Sequence, residues 1–430
     1  MFQTLKNAWR VEDLRKKLLY TLFIVFIFRL GSAVPAPFVN FKALGAMFDA
    51  TVASGSMLAL MNVFTGGGLS QATIFAMGIS PYINASIILQ LLCVAIPALE
   101  NMVKEGGEEG KKKIAAWTRY LAVALGLVQG FAYYVMISSW GILTDTSWWA
   151  GVVIVLTFTA GTALIMWLGE RITENGIGNG ISIILFAGII ARGPQLAMAL
   201  WNQFAAGGWG IVFGVLMVII GLGMVVMIVY MSNAERRIPI QYAKRVVGRK
   251  MYGGQSTHLP IKVNATGVMP IIFASSILSL PATVGMFMDT PAEGSLAAIV
   301  LGLFKQTSPF YIVIYALLIF AFSYFYASIQ FNPIEIANNL KQNGGFIPGF
   351  RPGRPTAEFI TKALSKVLFI GAMFLCVIAL VPLIVGAFNS GLSNIAIGGT
   401  SVVIVVGVAL ETVQQMEAQL MMRHHKGFLE

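Results

Sequence analysis

Apolar residues stay together along this chain in runs long enough to cross a lipid bilayer. A window of about 20 residues, which ~30 Å of hydrocarbon requires at ~1.5 Å rise per residue, marks ten of them. Eight are clear, at 18–34, 81–96, 121–140, 149–168, 211–231, 268–288, 310–329 and 367–388. Two are shorter and begin with glycines. The fifth run, 176–191, is cut by Arg192, Gly193 and Pro194, and the tenth, 395–413, opens on Gly398, Gly399 and Thr400. An even number of crossings predicts both chain ends on one side of the membrane.

The stretch 56–75, between the first two runs, is apolar but interrupted by Gly66, Gly67, Gly68, Ser70 and Gln71. It is too broken to span. Irregular backbone at membrane depth persists only when buried in protein or lining a water-filled cavity, so a re-entrant segment with a cavity to receive it is expected here.

The chain also repeats itself. Residues 76–89 read AMGISPYINASIIL and residues 265–278 read ATGVMPIIFASSIL, identical at eight of fourteen positions without a gap. Gly78 aligns with Gly267, Pro81 with Pro270 and Ile83 with Ile272. The copies open the second and seventh runs, an odd offset of five, so they cross in opposite directions. That predicts an all-α membrane protein of ten transmembrane helices in two pseudo-symmetric inverted halves of five. The first half is placed at 1–200, with the re-entrant piece at about 57–75, and the second at 207–430.

Composition agrees and narrows the chemistry. Of 430 residues 57% are hydrophobic and only 11% charged, too few charges to cover a water-soluble fold. The formal charge of +11 is distributed unevenly. Of 29 Lys and Arg, 25 fall in the termini and the loops on their side, against Lys42, Arg192 and Lys305 opposite and Arg29 inside the first run. Positive charge is retained in the cytoplasm, so both termini are expected there, and Trp140, Trp148, Trp149, Trp201 and Trp209 mark the opposite interface. Arg29 is expected to snorkel to the outer interface or to pair with carbonyls inside the bundle. No small-residue cleavage site follows the first run, so no removable signal peptide is expected.

None of the 18 Asp and Glu lies in the middle third of a run, which speaks against ion-coupled transport and proton relays. Cys93 and Cys376 lie in apolar runs as packing residues, and His258, His424 and His425 lack partners at metal spacing. GGEEGKKK (106–113) lacks the Ser or Thr of a phosphate-binding loop. No cofactor, metal or catalytic residue is expected.

Polar chemistry concentrates in two basic loops. The loop at about 232–264 carries Arg236, Arg237, Lys244, Arg245, Arg249 and Lys250, and alternates around Ile238 and Ile240, then Leu259, Ile261 and Val263 about Gly253 and Gly254. That pattern predicts a β-hairpin beyond the membrane. The loop at about 332–360 is stiffened by Pro348, Pro352 and Pro355 around Arg351 and Arg354. Such faces suit lipid headgroups or an acidic or RNA-containing partner.

These residues resemble the bacterial SecY family (SecY/Sec61-alpha), the pore subunits of protein translocases. The resemblance covers all ten runs and rests on ATIFAMGISPYINASIILQLL (72–92) and WLGERITENGIGNGISIIL (167–185), supported by RRIPIQYAKR, STHLPIKVN, GFIPGFRPGRPT and GGTSVVIVVGVALE. It implies a passive protein-conducting channel of the bacterial plasma membrane, with an aliphatic waist of Ile79, Ile83, Ile181, Leu185, Ile272 and Ile404. It makes the re-entrant segment a plug centred on 62–73, including Asn62, Phe64, Gly66, Gly67 and Gly68. Asn84, Gln129 and Ser276 would be polar residues of a lateral gate between the second and third and the seventh and eighth spans. Arg236, Arg237, Lys244, Arg351 and Arg354 would dock the SecA ATPase or a ribosome. SecE, SecG, signal peptides, translocating polypeptides and membrane lipids are the other implied partners. The rival expectation is a secondary transporter of a small solute, which inverted repeats and broken spans also fit.

Overall fold

The computed structural model describes residues 2–53, 62, 65–104, 106–205, 209–242, 245–247, 250–252, 256–264, 266–285, 296–305, 308–388 and 398–426. Helices dominate them. The first half contains α1 (Phe2–Arg10), α2 (Glu12–Gly31), α3 (Phe41–Ala53), α4 (Ser80–Ala95), α5 (Pro97–Lys104), α6 (Gly107–Ser139), α7 (Trp148–Asn175), α8 (Gly180–Ala191) and α9 (Gly193–Ala205). The second contains α10 (Trp209–Asn233), α11 (Met269–Gly285), α12 (Leu296–Leu303), α13 (Pro309–Gln330), α14 (Pro333–Gln342), α15 (Arg354–Phe388) and α16 (Gly398–Lys426).

Among the described residues, seven helical stretches are long and apolar enough to cross a membrane: α6, α7, α8 with α9, α10, α13 with α14, α15 and α16. The pair α4 and α5, bent by 105°, is an eighth. Helices α2 and α11 stand where the first and seventh spans are expected. The first carries Arg15, Lys16, Lys17 and Arg29, and the second is described over only 17 residues. Several helices outrun their apolar cores. At 33 residues α6 is about 50 Å long, so it projects well beyond ~30 Å of hydrocarbon.

The cut expected at Arg192 does not end the fifth span. Arg192 keeps right-handed helical backbone, and the helix continues as Gly180–Asn202. Gly193 and Pro194 open α9, where proline's missing N–H breaks no helical hydrogen bond.

The internal repeat is a repeat of backbone. Gly78 and Gly267 both take left-handed φ, +56° and +63°, which a side chain would strain. Each turns the chain into a helix with proline in its first turn, Pro81 in α4 and Pro270 in α11. The first turns close alike: Ile83 N–H donates to the Ile79 carbonyl at 3.1 Å, and Ile272 N–H to the Val268 carbonyl at 3.2 Å. Ile83 and Ile272 are thus each the fourth residue of their helix.

Within the first half α4 packs on α6, α6 on α7 and α7 on α8; within the second α11 packs on α13, α13 on α15, and α16 on both α10 and α15. The halves meet along two seams, α8 against α16 and α4 against α11. One apolar core runs through both, from Ile24 and Phe28 through Leu185 and Ile272 to Val403 and Val408.

The expected hairpin is present. Strands β1 (Glu235–Tyr242) and β4 (Ser256–Lys262) pair antiparallel with Ile238 opposite Leu259, and β2 (Arg245–Val247) and β3 (Lys250–Tyr252) pair beyond them. Gly253 and Gly254 lie outside the described residues. A third strand was not expected: β5 (Gly345–Phe346), from the other basic loop, adds to the free edge of β1.

Candidate functional site

The two seams converge on a cluster of aliphatic side chains. Ile79 caps α4 and Ile83 lies one turn on. Asn179 fixes the start of α8, its Oδ1 accepting from the Ile181 and Ser182 N–H groups at 3.1 and 3.4 Å, which places Ile181 and Leu185 one turn apart. Ile272 comes from α11 and Ile404 from α16. Five of the six are buried, Ile181 is partly so, and all belong to the same core. Ile83, Ile181, Leu185 and Ile272 together wall a cavity of about 50 Å³ on the basic side of the cluster. That space holds only a few water molecules.

The re-entrant segment fills the opposite side. Residues 65–79 run through successive turns with Leu69, Ala72, Phe75, Ala76 and Met77 buried. Backbone bonds tie it to the end of α2: Ala36 N–H donates to the Ala72 carbonyl at 2.8 Å and Ile74 N–H to the Val34 carbonyl at 3.0 Å. The buried Tyr133 hydroxyl of α6 donates to the Leu69 carbonyl, and Phe75 stacks on Phe28 with ring centroids 5.8 Å apart. Asn62 Oδ1 accepts from Ser70 N–H at 3.0 Å, and Gly67 N–H donates to the Asn62 carbonyl at 2.9 Å. Gly66 backs onto Gly188 of α8, one turn past Leu185. Gly68 packs against Thr73, and Phe64 lies outside the described residues.

Beyond this segment opens a cavity of about 610 Å³ whose wall includes Asn62, Gly66, Gly67, Ser70 and Gln71. Arg29 and Arg192 also line it, so Arg29 faces this cavity rather than lipid alone. The re-entrant segment therefore separates a wide chamber of mixed polar and apolar lining from the aliphatic cluster.

Asn84 of α4, Gln129 of α6 and Ser276 of α11 are all buried near the front seam. No hydrogen bond joins these three side chains among the described residues; Gln129 Oε1 has no partner at all, and the Ser276 carbonyl accepts from Ser279 Oγ at 2.6 Å. Sequence reasoning overlooked three residues beside them. Val268 precedes α11 as Ile79 precedes α4, and the repeat alignment pairs the two. Gln90 of α4 and Tyr326 of α13 line the 50 Å³ cavity, and only the apolar character of their helices could have hinted at an inward role.

On the basic face the two loops form one platform. Ile238, Ile240, Ile261 and Ile347 pack with Ile360, Leu364 and Leu368 of α15, so the sheet is anchored from below. Lys262 Nζ donates to Gln414 Oε1 of α16 at 2.9 Å. Arg236, Arg237, Arg351 and Arg354 point outward; Arg237 pairs with Glu235 at 2.7 Å and Arg354 with Glu358 at 3.3 Å. Lys244 lies outside the described residues. Thr356 Oγ1 donates to the Arg351 carbonyl at 2.8 Å, fixing the backbone beneath that guanidinium.

Comparison with known proteins gives this geometry a family. The SecY family pattern matches residues 73–413. The protein translocase subunit SecY of Streptomyces scabiei is 46% identical over the whole of both chains. The subunit of the same name from Thermotoga maritima is 43% identical over all of this chain and 98% of its own. A solved structure of a protein-conducting channel matches with a TM-score of 0.61 at 15% identity, covering 94% of this chain and 92% of its own. Sec61 in a canine ribosome-channel complex from the endoplasmic reticulum matches over the same shares at 0.60 and 14%. At those identities the structures report the fold.

Proposed function

The chain belongs to the SecY family of protein translocase subunits, and from that premise we propose that it is the pore through which unfolded polypeptides leave the cytoplasm and apolar segments enter the bilayer. It works in a bacterial plasma membrane with both termini cytoplasmic, assembled with SecE and SecG. It has no chemistry of its own: SecA or a translating ribosome supplies the energy. The curated relatives are translocase subunits, and no observation favours the small-solute transporter, which is not carried forward.

One observation carries the reading. Aliphatic side chains from both halves meet at a single level, with a tied-down re-entrant segment on one side and a basic platform on the other. Ile79, Ile83, Ile181, Leu185, Ile272 and Ile404 form the waist. An aliphatic ring resists wetting when closed and offers a sliding chain no fixed hydrogen bond. Residues 62–73 form the plug, which must leave its seat for a chain to pass. Asn84, Gln129 and Ser276 bias the front seam, where signal peptides exit towards lipid. Arg236, Arg237, Lys244, Arg351 and Arg354 receive the motor or the ribosome.

A photoreactive residue placed at Ile272, in vesicles carrying a precursor stalled midway, is expected to crosslink to the stalled chain only during translocation. Active vesicles without that crosslink would remove Ile272 from the path; vesicles unable to translocate through this protein would remove the channel reading itself.

A further inference from the structure

The helix that carries Ile181 and Leu185 is held at its start by side chains from several elements. Ile177 N–H donates to Thr21 Oγ1 of α2 at 3.2 Å, and Gly180 N–H to Thr173 Oγ1 of α7 at 3.0 Å. The Ile181 and Ser182 N–H groups are taken by Asn179 Oδ1, and Ile183 N–H by the Asn179 carbonyl at 3.0 Å. All four opening donors of α8 are thus satisfied. The fit is close. A Cβ on Gly176 would lie 2.5 Å from Thr21 Oγ1, and one on Gly180 would run into the Gly169 carbonyl oxygen of α7.

Of these tethers, the one from Thr21 comes from outside the α7–α8 pair. Its hydroxyl also donates to the Lys17 carbonyl at 2.9 Å, so it gives one bond along its own helix and takes one across to the next. Seven residues further along α2, about 10 Å, Phe28 stacks on Phe75 of the re-entrant segment. Past the end of α2, the Val34 carbonyl and the Ala36 N–H bond to the same segment at Ile74 and Ala72. Helix α8 reaches that segment too, through Gly188, on which Gly66 rests. The two helices therefore meet each other at one end and the re-entrant segment at the other. Sliding α8 along its axis moves Ile181, Leu185 and Gly188 together, so a bond that fixes α8 against α2 acts on the waist and on the plug seat at once. We propose that Thr21 is a positioning residue that, by accepting the Ile177 N–H, registers α2 against α8 and keeps the plug seat and the waist aligned in the closed channel. The proposal rests on the channel reading above and adds to it the contact that holds those two barriers in register.

Thr21→Val keeps the shape of the side chain and removes the acceptor, whereas Thr21→Ser keeps the acceptor. Thr157 of α7 provides the control: its hydroxyl donates within its own helix, to the Val153 carbonyl at 2.7 Å, so Thr157→Val removes a hydroxyl without untying two helices. Idle ion conductance per complex is measured in planar bilayers bearing the intact complex, alongside translocation of a secretory precursor by the same preparation. Thr21→Val is expected to conduct about fivefold more than the native channel, the factor one net hydrogen bond supplies, with Thr21→Ser and Thr157→Val within about twofold of it. A purely structural loss lowers the number of active complexes, and translocation with it, without raising the conductance of those that remain. Native-like conductance of Thr21→Val overturns the proposal, and so does an equal rise in Thr157→Val or one that Thr21→Ser does not relieve. Native complex that translocates no precursor overturns the channel reading and this proposal with it.

Discussion

The seat of the plug can be weakened at one atom. Gly66 has φ +67°, and a Cβ there would lie 2.9 Å from the Gly188 carbonyl oxygen and 3.1 Å from its Cα. Left-handed backbone costs an L-residue about 1–2 kcal/mol. The contact adds about 1–2 more, because Gly188 is helix backbone and cannot swing aside as a side chain would. Gly67 is the internal control: its φ is +90°, but a Cβ would meet nothing within 4 Å. Each penalty applies only while the plug is seated, since an unseated segment relaxes its dihedrals. Gly66→Ala therefore shifts the seated-to-unseated ratio by about 30- to 900-fold and Gly67→Ala by about 5- to 30-fold. The measurement is ion conductance of the idle, purified complex in planar bilayers. Gly66→Ala is expected to conduct more than Gly67→Ala, and both more than the native channel. Equal conductance of the two variants refutes the Gly188 contact as a seat, and native-like conductance of both refutes seating through this turn.

Three further outcomes test other parts of the site. Ile83→Asn with Ile272→Asn places amides on both sides of the waist and is expected to raise idle ion conductance at least tenfold, of the order expected when a dewetted barrier becomes wettable; an unchanged bilayer trace removes these residues from the barrier. Tyr133→Phe leaves the Leu69 carbonyl without its buried donor, costing about 1–3 kcal/mol, and is expected to raise idle conductance about fivefold or more; conductance equal to the native channel's shows that this bond does not hold the plug. Arg351→Glu reverses an exposed charge on the platform, leaving the core beneath untouched; translocation driven by the motor is expected to cease while the complex still co-purifies, and a fully active variant takes Arg351 out of the docking surface.

Much of this architecture is legible in sequence because the bilayer imposes it. Ten apolar runs stand out, and helices stand at all ten positions. Hydropathy reports only the part of a helix that lipid touches, so it misses the start of α6 at Gly107 and of α15 at Arg354, both in polar sequence. It misjudges Gly193-Pro194 because proline at a helix start looks the same in sequence as proline at a break. The repeat pointed to Ile83 and Ile272 because identical residues fix an identical turn. Strand β5 was invisible, since two residues carry no period and its register depends on an edge supplied by a loop about a hundred residues away. Gln90 was invisible for another reason: whether a lone polar residue in an apolar run is satisfied depends on neighbours from other helices.

The two seams between the halves differ in what it costs to part them. At the back, α8 lies against α16, and the contact is built from buried aliphatic side chains including Ile183, Val403 and Val408. Separating it exposes apolar surface that only another apolar partner could cover. At the front, α11 meets α4 and α6. There Gln129 Oε1 is buried without a partner among the described residues, so part of the cost of opening has already been incurred in the closed state. An apolar segment entering such a seam would replace the aliphatic contacts that opening loses. On the function proposed above, the front seam is the one that opens for a substrate. On the same proposal, the back seam keeps the halves together while the front one parts, so that one molecule gates both across the membrane and sideways into it.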